Sequence, residues 1–136
     1  MAKKIINSLV ILFILTVLIH NFFSCNELYS NFKITTAHVT TVKKSGNPKY
    51  SAGDYQIFYE YQVDEKTYES EDAGTYCGES DFGKVLYALD RKDFPVAYSV
   101  HLNGTSRIIV TEEIAAKFHI NFPDSLRGID SILSCK

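Results

Sequence analysis

Between residues 55 and 64 the chain reads YQIFYEYQVD, and no other stretch limits the possible fold as much. Tyr55, Ile57, Tyr59, Tyr61 and Val63 alternate with Gln56, Phe58, Glu60, Gln62 and Asp64. A period of two over ten residues puts successive side chains on opposite sides of an extended backbone, so the segment is a strand with one buried face. Asp64-Glu65-Lys66 then turns the chain into TYESED, residues 67–72, the partner strand of a hairpin.

The flanking segments extend this sheet. FKITTAHVTTVKK (32–44) is rich in threonine and β-branched residues and reads as a strand. SGNPKYSAGD (45–54), with Gly46, Pro48 and Gly53, reads as a loop. FPVAYSV (94–100) and SRIIV (106–110) form two more strands across the turn HLNGT. Between the hairpin and these strands lies AGTYCGES, a glycine-bearing loop. There Ser80 suits a helix cap, and Asp81 places negative charge in the first turn. Phe82, Val85, Leu86 and Leu89 follow at i, i+3, i+4 and i+7, which predicts an amphipathic helix over 81–92. A short helix is expected after Thr111 (112–118). Another opens at Pro123, with Leu126, Ile129 and Leu133 on one side. The expected fold is α+β: a small, mostly antiparallel sheet of about five strands covered by one amphipathic helix, with a helical C-terminal tail. One domain over 25–136 accounts for these elements.

Residues 1–24 obey different rules. MAKK is positively charged, and IINSLVILFILTVLI (5–19) is apolar apart from Asn7, Ser8 and Thr16. This order, with lysines held on the cytoplasmic side, is that of a secretory signal or membrane anchor. As a helix, residues 5–19 would span roughly 22 Å, and extension to Phe23 gives roughly 28 Å against a ~30 Å hydrocarbon core. A retained single span is thus feasible, with His20 and Asn21 at the interface. Ser24-Cys25 also matches the end of a bacterial lipoprotein signal, in which Cys25 would carry the lipid. Both fates tether the domain to a membrane and put residues 26–136 outside the cytoplasm; the retained span is the first expectation.

The chain has three cysteines. With Cys25 lipidated or at the membrane edge, Cys77 and Cys135 remain as a pair for an oxidising compartment. Their disulfide would close a loop of roughly sixty residues and contribute on the order of 4 kcal/mol. Two unrelated thiols are the alternative.

Charge excludes one class of partner. Outside the first 24 residues there are twelve basic and sixteen acidic residues, a net −4 with no basic cluster, so nucleic acid is not expected. No catalytic, cofactor or metal set stands out. Asp81-Phe82-Gly83 matches a kinase triplet in letters only. Cys77 with His38 or His101 would need a lowered thiol pKa and a group to orient the histidine, and the spacing provides neither. No two of His20, His38, His101 and His119 sit at metal-binding spacing. Tyr55, Tyr59 and Tyr61 share a strand face that either packs under the helix or forms an aromatic platform for a sugar or peptide; packing is the expectation. The Asn103-Gly104-Thr105 sequon reads as a turn. Recognition, if any, is expected on the 45–54 loop and the 101–105 turn, because loops on a rigid sheet usually carry it.

One family resemblance covers most of the exported part. AHV (37–39), YEYQV (59–63), PVAY (95–98) and SRI (106–108) resemble, in order and spacing, the strands of the bacterial domain of unknown function 3592 family over residues 33–110. The turn SVHLNGT lacks that family's usual prolines, and Asp64-Glu65-Lys66 replaces its common glycine turn. The resemblance implies a small β domain associated with a membrane and carries no catalytic residues. It leads to an expectation of a membrane-tethered, non-catalytic envelope module serving an envelope protein partner.

Overall fold

The computed structural model describes residues 10–19, 27–44, 54–75, 82–102 and 104–133. Its centre is a five-stranded antiparallel sheet in the order β3-β2-β1-β4-β5. The strands are β1 (Phe32–Lys44), β2 (Asp54–Val63), β3 (Lys66–Thr75), β4 (Asp93–Ser99) and β5 (Ser106–Ile108). Residues 10–19 form helix α1 and residues 27–30 a single helical turn. The remaining helices are α2 (Phe82–Leu89), α3 (Glu112–Lys117) and α4 (Arg127–Leu133), the last preceded by a 3-10 turn at Asp124–Leu126.

The sheet curls because β1 divides its pairing. Its first half, Phe32 to His38, pairs with β4, whereas Ala37 to Lys44 pairs with β2. The two neighbours overlap on only two residues, so the ladder climbs diagonally across the sheet. A bulge between Val39 and Thr41 leaves Thr40 as the extra residue, and its hydroxyl donates to the Phe58 carbonyl at 3.2 Å. Bulges increase local twist, and this one also resets side-chain parity. Ala37, Val39 and Val42 therefore all face the interior, although 39 and 42 would lie on opposite sides of a regular strand. The curl brings the far strands together: the Tyr59 hydroxyl on β2 lies 3.1 Å from Ser106 Oγ on β5.

The inner face carries Tyr55, Ile57, Tyr59 and Tyr61 of β2, Phe94 and Val96 of β4 and Ile108 of β5, all buried. Helix α2 closes one end of it through Val85, Ala88 and Leu89, with Phe82 stacked on Tyr55 at 5.8 Å. Helix α4 packs on α2 and buries Ile129 and Leu133. On the outer face, Phe118 after α3 meets the rings of Tyr29 and Phe32, each at 5.0 Å. Several helices thus cover the sheet on both faces, where the sequence suggested one. The reason is that Ile109, Val110 and Phe118 create a second apolar surface beyond β5. Helix α2 is also shorter than 81–92, since Arg91 takes a left-handed conformation (φ 53°) and the Lys92 carbonyl already accepts the Val39 amide.

Helix α1 exposes all its large apolar side chains, Phe13 and Leu12 most of all. Among the described residues no helix is long and apolar enough to cross a membrane.

Candidate functional site

The end of the curled sheet not filled by α2 is an open cleft of about 370 Å³. Its floor is Tyr61 of β2, flanked by Tyr68 of β3 and Tyr98 of β4. Register dictates this grouping. Tyr61 and Tyr68 are directly opposed across the hairpin and stack at 5.5 Å with 19° between ring planes. Tyr98 approaches Tyr61 from the other side at 6.1 Å. Offset, near-parallel ring pairs of this kind are favourable and hold each other in place.

Two turns form the rim. The hairpin turn supplies Asp64 and, just beyond, Lys66. The β4–β5 turn supplies Val100 and Gly104, the latter at φ 81°, a conformation that favours glycine. Ser99 shapes this second turn: its Oγ accepts the amides of His101 and Leu102 at 3.2 and 3.0 Å, and its own amide bonds the Thr105 carbonyl. Lys33 enters from β1, where it is paired with Tyr98.

The charges on this rim are unevenly matched. Among the described residues, Arg91, Arg107, Lys117 and Arg127 each have a carboxylate within 4 Å, while Lys43 and Lys92 sit over the rings of Phe58 and Tyr87. Lys33 and Lys66 have neither kind of partner among those residues. Burial raises the pKa of both Tyr59 and Tyr61, opposed by hydrogen bonding to Ser106, so both phenols stay protonated through the physiological range. As neutral hydroxyls they both donate and accept.

A second, shallower cavity of about 410 Å³ lies on the outer face. There one row crosses four strands: Glu69 opposes Glu60, Glu60 opposes His38, and His38 opposes Asp93. His38 Nδ1 and Asp93 Oδ1 are 2.8 Å apart. This pair has the orienting carboxylate of a base–carboxylate dyad, but the described side chains lining the cavity with it are threonines, glutamine, Glu60 and Tyr61. Among the described residues no group of three or more His, Cys, Asp or Glu side chains is arranged to hold a metal ion.

The sites expected from sequence fare differently. Cys25, Cys77 and Cys135 all lie outside the described residues, as do Ser80, Asp81, His20 and the loop before Asp54. His101 lies 4.0 Å from Glu27, and His119 is exposed in a left-handed turn. Tyr55 and Tyr59 are core, as expected, with Tyr61 almost as buried. The 101–105 turn does edge a cleft. Sequence reasoning missed Tyr68, Tyr98, Lys33 and Lys66. Tyr68 was accessible to it: Tyr61 and Tyr68 are equidistant from the Asp64-Glu65 turn, so hairpin register alone opposes them. Tyr98 and Lys33 depend on the stagger of β1, which no local pattern encodes.

No family model, curated protein or solved structure matches this chain.

Proposed function

We propose that this chain is a non-catalytic recognition module, tethered to a membrane by its N-terminal segment, with residues 26–136 outside the cytoplasm and the tyrosine cleft as its recognition surface. The cleft carries this reading: three tyrosines and two lysines without described carboxylate partners converge on one concave, structurally supported site. Small-molecule sites are typically clefts of this volume with a few convergent polar groups. The tether is supported by α1, where nine apolar side chains are exposed on consecutive turns. A surface of that kind is costly in water and matches a lipid environment.

The test is site-specific cross-linking in intact cells. A photoreactive residue at Val100, which is exposed on the cleft rim, yields a discrete adduct; the same residue at Tyr87, which is 83% exposed on α2, does not. Equal labelling from both positions, or recovery of the chain in the soluble fraction after alkaline extraction of membranes, overturns the proposal.

A second reading, a thiol-dependent enzyme using Cys77 with a histidine, draws on one observation: Asp93 is placed to orient His38. Quantitative alkylation of Cys77 in unreduced protein is its minimum requirement, and a blocked sulfur eliminates it.

A further inference from the structure

We infer that the cleft binds an acidic sugar, a hexose-sized ring bearing one carboxylate or phosphate; this rests on the recognition reading above. The chemistry of the lining selects this class. Among the residues lining the cleft only Val63 and Val100 are aliphatic, so a purely apolar ligand would leave the Tyr68 and Tyr98 hydroxyls and both lysines facing it without partners. A sugar suits the same walls. Its hydroxyls exchange hydrogen bonds with the phenols, and its C–H faces, slightly positive, lie against the negative faces of tyrosine rings. Tyr68 and Tyr98 keep part of their surface open for this contact, while Tyr61 forms the floor.

The acidic group follows from the rim. Lys33 and Lys66 both border the cleft in a domain whose remaining charge is negative, and neither is matched by a described carboxylate within 4 Å. Asp64 on the same rim accepts from sugar hydroxyls and disfavours a ligand carrying several negative charges. A volume of about 370 Å³ leaves room for one or two rings and excludes a long chain held end to end.

Calorimetric titration of the full chain in neutral detergent tests this, with glucuronate, glucose 6-phosphate, glucose and inorganic phosphate as probes. One or both acidic sugars are expected to bind about tenfold more tightly than glucose or phosphate alone, the scale of a charge-assisted contact added to a hydroxyl set. The double variant Lys33→Gln/Lys66→Gln loses about that factor. Lys43→Gln/Lys44→Gln removes the same charge at the far end of β1 and retains binding. Equal binding of glucose and the acids, or an equal loss in both double variants, overturns the inference. If no probe binds while the Val100 cross-link still forms, the acidic-sugar assignment fails and the recognition site stands; if neither occurs, both fail.

Discussion

Asp72 and Arg107 belong to β3 and β5, the two opposite edges of the sheet, yet Asp72 Oδ2 and Arg107 Nε are 3.6 Å apart. The sheet has curled until its edges meet through an ion pair. Asp72 is 8% exposed and Arg107 34%, so the carboxylate is the desolvated partner. Removing the guanidinium therefore costs more than the pair itself contributes, because a buried negative charge is left behind. Arg107→Ala is expected to destabilise the domain by about 2–4 kcal/mol. Asp72→Asn in the same background should recover part of that loss, and urea denaturation of the four species measures the coupling. Additive effects would mean that this ion pair does not help to hold the edges together.

Tyr59 makes the second link across the curl, 3.1 Å from Ser106. Burial raises its pKa and that of Tyr61. The folded state thus holds these protons more tightly than the unfolded chain, and stability is complete below the ordinary tyrosine value of about 10. It declines as pH rises beyond that point, when unfolded phenols ionise and folded ones do not. Tyr59→Phe removes the hydrogen bond at a cost of about 1 kcal/mol near neutral pH and flattens the alkaline decline. Phenolate absorbance followed alongside circular dichroism checks this: a late group of tyrosines should titrate together with unfolding. Titration of all tyrosines before structure is lost would contradict it.

The strands were legible because their signals are local: strict alternation in 55–64 and threonine-rich, β-branched composition in 32–44. YQIFYEYQVD is buried at each of Tyr55, Ile57, Tyr59 and Tyr61, and the segments 32–44, 94–100 and 106–110 fall on β1, β4 and β5 to within two residues. The helices after Thr111 and Pro123 were legible for the same local reason, a cap or a breaker followed by spaced apolar residues. The curl was not. It depends on the Thr40 bulge and on β1 sharing its length between two neighbours, both properties of pairing partners distant in sequence. The cleft inherits that limit: only the Tyr61–Tyr68 part lies within one hairpin.

Helix α3 is too short to persist alone and depends on its caps. Thr111 Oγ1 accepts the Ile114 amide at 3.3 Å, and Asp130 Oδ1 of α4 accepts the Glu112 amide at 2.7 Å. The first sits at the helix start expected from sequence; the second joins the two helices through residues eighteen apart. Thr111→Ala is expected to cost about 1 kcal/mol. Asp130→Ala should also loosen α4, so hydrogen exchange at Ile129 and Leu133 would rise in that variant and not in Thr111→Ala. Unchanged exchange in both would place the α3–α4 junction outside the stabilising contacts.

The hairpin turn on the cleft rim stores strain. Asp64 and Glu65 both lie at positive φ, 48° and 65°, while Val63 pairs with Lys66, so the turn has two central left-handed residues. This geometry matches the twist of the flanking strands and favours Asp-Gly, because a glycine at the second position has no Cβ to clash with the backbone. Glu65→Gly is therefore expected to stabilise the domain by up to about 1 kcal/mol, even though glycine raises the entropy of the unfolded chain. Glu65→Ala is the control: it removes the same carboxylate and keeps the Cβ, so it should leave stability within about 0.5 kcal/mol. Thermal unfolding of both variants decides the cause. A gain in Glu65→Gly alone identifies backbone strain, whereas equal gains in the two would assign the effect to charge on an acidic domain.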